Sequence, residues 1–171
     1  MLTKSLYKLY HPEIFQGNLS SKRYFEGWYY KHVTADLQHV YSFIPGISLN
    51  TDDPHAFIQM IDGVTGKTQY FTYPLADFLY DRQLLDIRIG SSRFTKDHIE
   101  LDIHQGDFHI KGSLHYSDLT PYPSSLFSPG IMGWYSFVPR MECKHGVVSV
   151  NHFVNGSLNI NGKSITFRKD G

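Results

Sequence analysis

Short segments in which apolar and polar residues alternate, each closed by a tight-turn signal, recur through most of this chain. In Ile99-Glu100-Leu101-Asp102-Ile103-His104 the apolar residues hold one parity and the polar ones the other, as a strand with one wet face requires. Gln105-Gly106-Asp107 then turns the chain into residues 108–116, where Phe108, Ile110, Leu114 and Tyr116 share a face. Similar reasoning predicts strands over residues 23–32 and 38–44, the second ended by Pro45-Gly46, and over 56–61 and 67–73, joined by the turn Asp62-Gly63-Val64-Thr65-Gly66. Near the C-terminus, residues 147–154, 157–160 and 164–168 are separated by Asn155-Gly156 and Asn161-Gly162. Asn-Gly between short strands is a strong hairpin signal, because both central residues of such a turn need φ > 0. The expected result is a meander. In residues 74–85, Leu75, Phe78, Leu79 and Arg82 are spaced at three and four, which leaves a short helix and a strand both open.

Composition points the same way. There are three Ala and four Glu against 12 Tyr and 12 Phe, so two strong helix formers are scarce and strand formers abundant. A chain of 171 residues has the length of one domain with a real core. The expected fold is all-β: an antiparallel, lipocalin-like β-barrel or half-open barrel or sandwich of about 8–10 strands. At most one or two short helices are expected, in a single domain over residues 1–171 with residues 1–20 as an N-terminal arm. A barrel of about eight strands holds one small apolar ligand. Lys plus Arg and Asp plus Glu number 16 each, with no long run of either sign. That removes the electrostatic case for nucleic acid as a partner. With one cysteine, Cys143, and neither a long apolar run nor a leader-like start, the expected compartment is the cytoplasm.

Residues 120–140, rich in proline and aromatic side chains, break the rhythm and suggest a lid or binding loop. Within and around them lie Ser128-Pro129-Gly130-Ile131-Met132-Gly133-Trp134-Tyr135 and Met141-Glu142-Cys143-Lys144-His145-Gly146, the latter leading to Ser149-Val150-Asn151-His152. Together with Phe25-Glu26-Gly27-Trp28-Tyr29-Tyr30, Ser42-Phe43-Ile44-Pro45-Gly46 and His55-Ala56-Phe57-Ile58-Gln59, these motifs resemble the tocopherol cyclase family. The resemblance runs in order along nearly the whole chain. It implies a lipocalin-like β architecture in two tandem halves, of which this chain matches the first, and cyclisation of a prenylated hydroquinone to a chromanol. It also implies that this chain is half of a functional unit and inactive alone, so docking to a C-terminal half, or a homodimer, is expected.

That chemistry needs an acid to protonate an alkene, a shell that tolerates a tertiary cation, and a base for the phenolic proton. It calls for no cofactor and no metal. A carboxylic acid serves when apolar surroundings raise its pKa, and aromatic faces stabilise the cation. Glu26 and Glu142 are the candidate acids, and His145 and His152 the candidate bases. Trp28, Tyr29, Phe57, Gln59, Trp134 and Tyr135 are the candidate substrate-binding residues. Each has a plainer reading: Glu26 pairing with Arg23 or Lys31, Glu142 capping backbone amides, His152 as a hydrogen-bonded core histidine. Cys143, His145 and His152 lack the paired spacing of a structural zinc site, and His98, His104, His109 and His115 fall on the polar parity of their strands. The rival function is a non-enzymatic, lipocalin-like binder of a lipid, isoprenoid or other hydrophobic metabolite, with peripheral membrane contact as a further expectation.

Overall fold

In a computed structural model, residues 7–125, 127–138 and 144–168 are described. They form twelve strand segments in two antiparallel sheets that share one hydrophobic core and do not close into a barrel. The first sheet comprises β1 (Phe25–Gly27), β2 (Tyr30–Val33), β3 (Val40–Leu49), β4 (Pro54–Asp62) and β5 (Thr68–Pro74). A 3₁₀ turn at Leu75–Asp77 carries the chain into the second. That sheet runs in sequence order through β6 (Phe78–Tyr80), β7 (Asp86–Ile89), β8 (Ser92–Thr95), β9 (His98–Gln105), β10 (Phe108–Pro121), β11 (Ser149–Ile160) and β12 (Lys163–Phe167). A half-open barrel or sandwich is therefore the architecture, built from more segments than the turn signals suggested. Among the described residues, no helix is long and apolar enough to cross a membrane.

Two features depart from the sequence reading. Pro45-Gly46 does not end a strand: β3 runs through it to Leu49, and β1 and β2 lie along the same edge of β3 in one continuous register, with Phe25 opposite Ser48 and Tyr30 opposite Phe43. Proline has no N–H to give the ladder, so the pairing lapses at Trp28 and Tyr29. The Trp28 N–H still donates to the Pro45 carbonyl at 2.9 Å. Residues 25–33 are thus one edge strand with a gap in its hydrogen bonding. Alternation survives the gap, so Tyr24, Glu26, Trp28, Tyr30 and His32 all point toward the interior.

The second departure is Asn155-Gly156, which is not a turn. β11 passes straight through it, with Gly156 opposite Leu114 on one side and Phe167 on the other. Only Asn161-Gly162, both at positive φ, makes the expected hairpin. Gly156 serves a different purpose, together with Gly112. They flank the Ser113–Ser157 pair, at φ +138° and +148°, and a Cβ on either would lie 2.2 Å from the other strand's serine carbonyl oxygen. The two backbones approach as only glycine permits.

The ambiguous residues 74–85 resolve into the 3₁₀ turn and β6 rather than one helix. The core is formed by inward residues of both sheets, among them Phe43, Ile47, Ile58, Phe94, Ile103 and Leu158. Each fully buried side chain of this kind contributes roughly 1.5–3 kcal/mol. Where the second sheet ends, β12 meets β2 only through side chains: the rings of His32 and Phe167 lie 6.0 Å apart, with no ladder between the strands. Replacing Gly156 with Ala should destabilise the fold by at least about 2 kcal/mol through positive-φ strain and the clash with Ser113. Chemical denaturation checks this, and an Asn155→Ala control should cost far less.

Candidate functional site

The open side of the half-barrel is a cleft of about 1690 Å³. One wall is the inner face of the β1–β2 strand. The other is the far part of β10, around Tyr116 and Leu119, and the near part of β11, around Ser149 and His152. Residues 131–138 and 144–148 border it, as does the N-terminal arm. A bulge in β10 at Asp118, where φ is +53° and the register slips against β11, bends the strand beside Tyr116.

The arm is bound to the β1–β2 strand by specific contacts. Ile14 and Phe15 are buried, and the Phe15 ring packs against Tyr24, Trp28, Phe78 and Tyr80. The Trp28 indole N–H donates to the Glu13 carbonyl at 2.8 Å. Glu26 accepts from the Gln16 N–H at 3.0 Å on both oxygens, from the Gly17 N–H at 3.2 Å and from the Tyr24 hydroxyl at 2.7 Å. Burial raises the Glu26 pKa above the usual carboxylate value, against the opposing pull of these donors and of the nearby Lys8 ammonium. Neither Arg23 nor Lys31 is its partner. The carboxyl therefore holds the arm in place while it lines the cleft.

Deeper in the cleft, His32, Tyr116 and His152 come together. His32 Nδ1 lies 3.2 Å from the Tyr41 carbonyl oxygen, and its Nε2 lies 2.7 Å from the Tyr116 hydroxyl. A carbonyl only accepts, so Nδ1 carries the proton and Nε2 accepts from the tyrosine. Burial, the largest cause, holds the His32 pKa down to about 3, so the ring is neutral. The His152 ring meets Tyr116 edge-on with centroids 5.2 Å apart, and burial lowers its pKa as well. His152 borders the cleft and makes no hydrogen bond to a described residue.

Of the residues singled out by sequence, Glu26, Trp28, His145 and His152 line this cleft. Tyr29 reaches its rim, but its hydroxyl accepts from Ser42 at 2.8 Å on the outer face of the sheet. Phe57 and Gln59 lie on that outer face too: Phe57 stacks between Phe25 and Tyr70 and covers Gly46, while its neighbours Ala56 and Ile58 enter the core. Trp134 and Tyr135, in the 3₁₀ turn Gly133–Phe137, stack on each other at 4.0 Å and are exposed. It is their neighbours Met132, Ser136 and Phe137 that border the cleft. Glu142 and Cys143 lie outside the described residues. Among those described, no three metal-ligating side chains converge.

His32 and Tyr116 were not singled out beforehand, although both carried a signal. The parity that aligns Glu26 with Trp28 extends to His32, and Tyr116 shares the apolar face of β10. Comparison with known protein families, with curated proteins and with solved structures finds no match.

Because the folded state keeps His32 neutral, acid favours the unfolded chain. The stability is fully present above about pH 6.5, the ordinary histidine value, and is lost as pH falls toward 3. At pH 4 the loss should be roughly 3 kcal/mol from this residue. Denaturant titrations at pH 7 and pH 4 measure it, and a His32→Gln variant should flatten the difference.

Proposed function

We propose that this chain binds an uncharged, largely apolar molecule with a small polar head in the cleft between the β1–β2 strand and the β10–β11 ribbon. The observation that carries this reading is the pairing of an aromatic-lined cleft with a few convergent polar groups. Tyr24, Trp28, Tyr30 and Tyr116 supply apolar surface, and His32, Tyr116 and His152 supply polar atoms at one place. That combination characterises small-molecule sites. A volume of about 1690 Å³ is generous by the usual scale of roughly 300–1,000 Å³, which suits a long chain such as a lipid or isoprenoid. Lys8, Arg23, Lys31, Lys96 and Lys144 border the cleft without being buried in it, and the chain's zero net charge fits a neutral ligand.

A second reading is favoured by one observation: a carboxyl with a raised pKa, Glu26, and a neutral histidine, His152, border the same cleft. With the resemblance to tocopherol cyclases, this supports intramolecular cyclisation of a prenylated hydroquinone. The acid gives its proton to the alkene, the phenolic oxygen bonds to the resulting tertiary carbon, and the phenolic proton passes to the base. The product is an isomer of the substrate, so no oxidant or reductant is consumed. Against Glu26 as that acid stands its engagement with Gln16, Gly17 and Tyr24. Glu142, outside the described residues, is the other candidate acid and His145 the other base. Docking to a C-terminal half, a homodimer and peripheral membrane contact belong to this proposal as well.

Incubating the chain with a geranylgeranylated hydroquinone separates the two readings. Retention of ligand on gel filtration without chromanol supports the binder, and chromanol that falls at least tenfold in Glu26→Gln at unchanged binding supports the cyclase. Failure to retain this or any extracted apolar molecule would overturn both.

A further inference from the structure

The alternation that buries Ile99, Leu101 and Ile103 sets the polar residues of β9 and β10 on the solvent-facing side of the second sheet. Register then pairs their histidines directly, His104 with His109 and His98 with His115. At His109 the backbone turns away from β9: its N–H donates to the Asn161 side-chain oxygen and its carbonyl accepts from the Asn161 N–H, both at 2.8 Å. His104 and His109 are therefore a non-hydrogen-bonded pair. That is the closest kind of cross-strand pair, with Cα atoms about 4.5 Å apart.

The two rings stand at 70° to each other, and their Nδ1 atoms meet at 2.7 Å. On the far side of His104, Nε2 lies 2.8 Å from Asp102 Oδ1, a buried oxygen with no other hydrogen-bond donor among the described residues. A carboxylate only accepts, so His104 carries its proton on Nε2 and its Nδ1 is bare. The proton between the rings then belongs to His109. Lys111 holds the second Asp102 oxygen at 3.3 Å, which fixes the carboxylate behind the ring.

A carboxylate backing an imidazole whose other nitrogen is bare is the arrangement that orients a metal-ligating histidine. His109 becomes the second ligand when its proton passes through water from Nδ1 to Nε2, so both rings stay neutral and no proton is lost overall. An ion about 2.0–2.1 Å from each nitrogen opens their separation to about 3 Å, a small swing for two exposed side chains. His98 and His115 share the register but not this arrangement. Their rings stack at 5.7 Å and 26°, and His98 Nδ1 is engaged by Thr95 and Asp97 at 2.9 and 3.0 Å.

From this geometry we infer that His104 and His109 chelate a divalent transition-metal ion on the outer face of β9 and β10, with Asp102 as a positioning residue and water completing the coordination. Imidazole suits Ni²⁺, Cu²⁺ and Zn²⁺, whereas Mg²⁺ and Ca²⁺ take oxygen ligands and are refused. None of these three residues lines the cleft, so the site is independent of what the cleft binds.

Calorimetric titration of the intact chain with NiCl₂ at neutral pH, with MgCl₂ as the control, tests this. Ni²⁺ should bind and Mg²⁺ should not. His104→Gln and His109→Gln should each weaken Ni²⁺ binding by at least about tenfold, and Asp102→Asn by about tenfold, with the metal-free thermal transition of each variant unchanged. His98→Gln and His115→Gln should leave the affinity as it is. In the native chain, paramagnetic Ni²⁺ should broaden the imidazole NMR signals of His104 and His109 before those of other histidines, a reading that decides the matter should a variant fail to fold. Absence of Ni²⁺ binding, full affinity in the H104Q/H109Q double variant, or broadening centred on other histidines would overturn the inference.

Discussion

A single edge strand, held in one register against β3 across the interruption at Pro45, decides what the cleft presents. A slip of one residue would turn Glu26, Trp28, Tyr30 and His32 outward and bring Phe25, Tyr29 and Lys31 in. The register is kept by pairing on both sides of the gap and by the Trp28 N–H to the Pro45 carbonyl. Everything that gives the site its chemistry follows from that placement: the arm anchored on Glu26 and Trp28, and the neutral histidine directing the hydroxyl of Tyr116.

Burial and hydrogen bonding pull Glu26 in opposite directions. Desolvation favours the protonated carboxyl, yet two backbone amides and a tyrosine hydroxyl need acceptors, and an ionised carboxylate supplies them best. Such a group makes a good clamp. Its transfer of a proton to a substrate would also loosen or tighten the arm, since the same oxygens serve both purposes. Catalysis at Glu26 and movement of residues 11–17 would then be one event.

Much of the fold was legible because alternation is a local property. The faces of β9 and β10 were readable from Ile99–His104 and from Phe108, Ile110, Leu114 and Tyr116, and the inward parity of Glu26, Trp28 and His152 was readable too. Pro45-Gly46 and Asn155-Gly156 misled because both are turn signals on their own. In each case pairing on both sides of the strand overrides the local preference. Phe57 and Gln59 illustrate a different limit: an aromatic residue beside a polar one does not reveal which face of a two-sided strand lines the cleft. The partnership of His32 with Tyr116 joins residues far apart in the chain, and only the folded arrangement fixes the tautomer.

The glycine pair at positions 112 and 156 marks a division of labour along the β10–β11 ribbon. On one side of it Ile110, Leu158 and Ile160 belong wholly to the core, and on the other Leu114 and Tyr116 continue that core while Tyr116, Leu119 and His152 border the cleft. The close approach itself is made by backbone alone. The two halves are not independent: Ser149 and His152 border the cleft outside the core, whereas Leu114 and Tyr116 belong to the packing that sustains the fold.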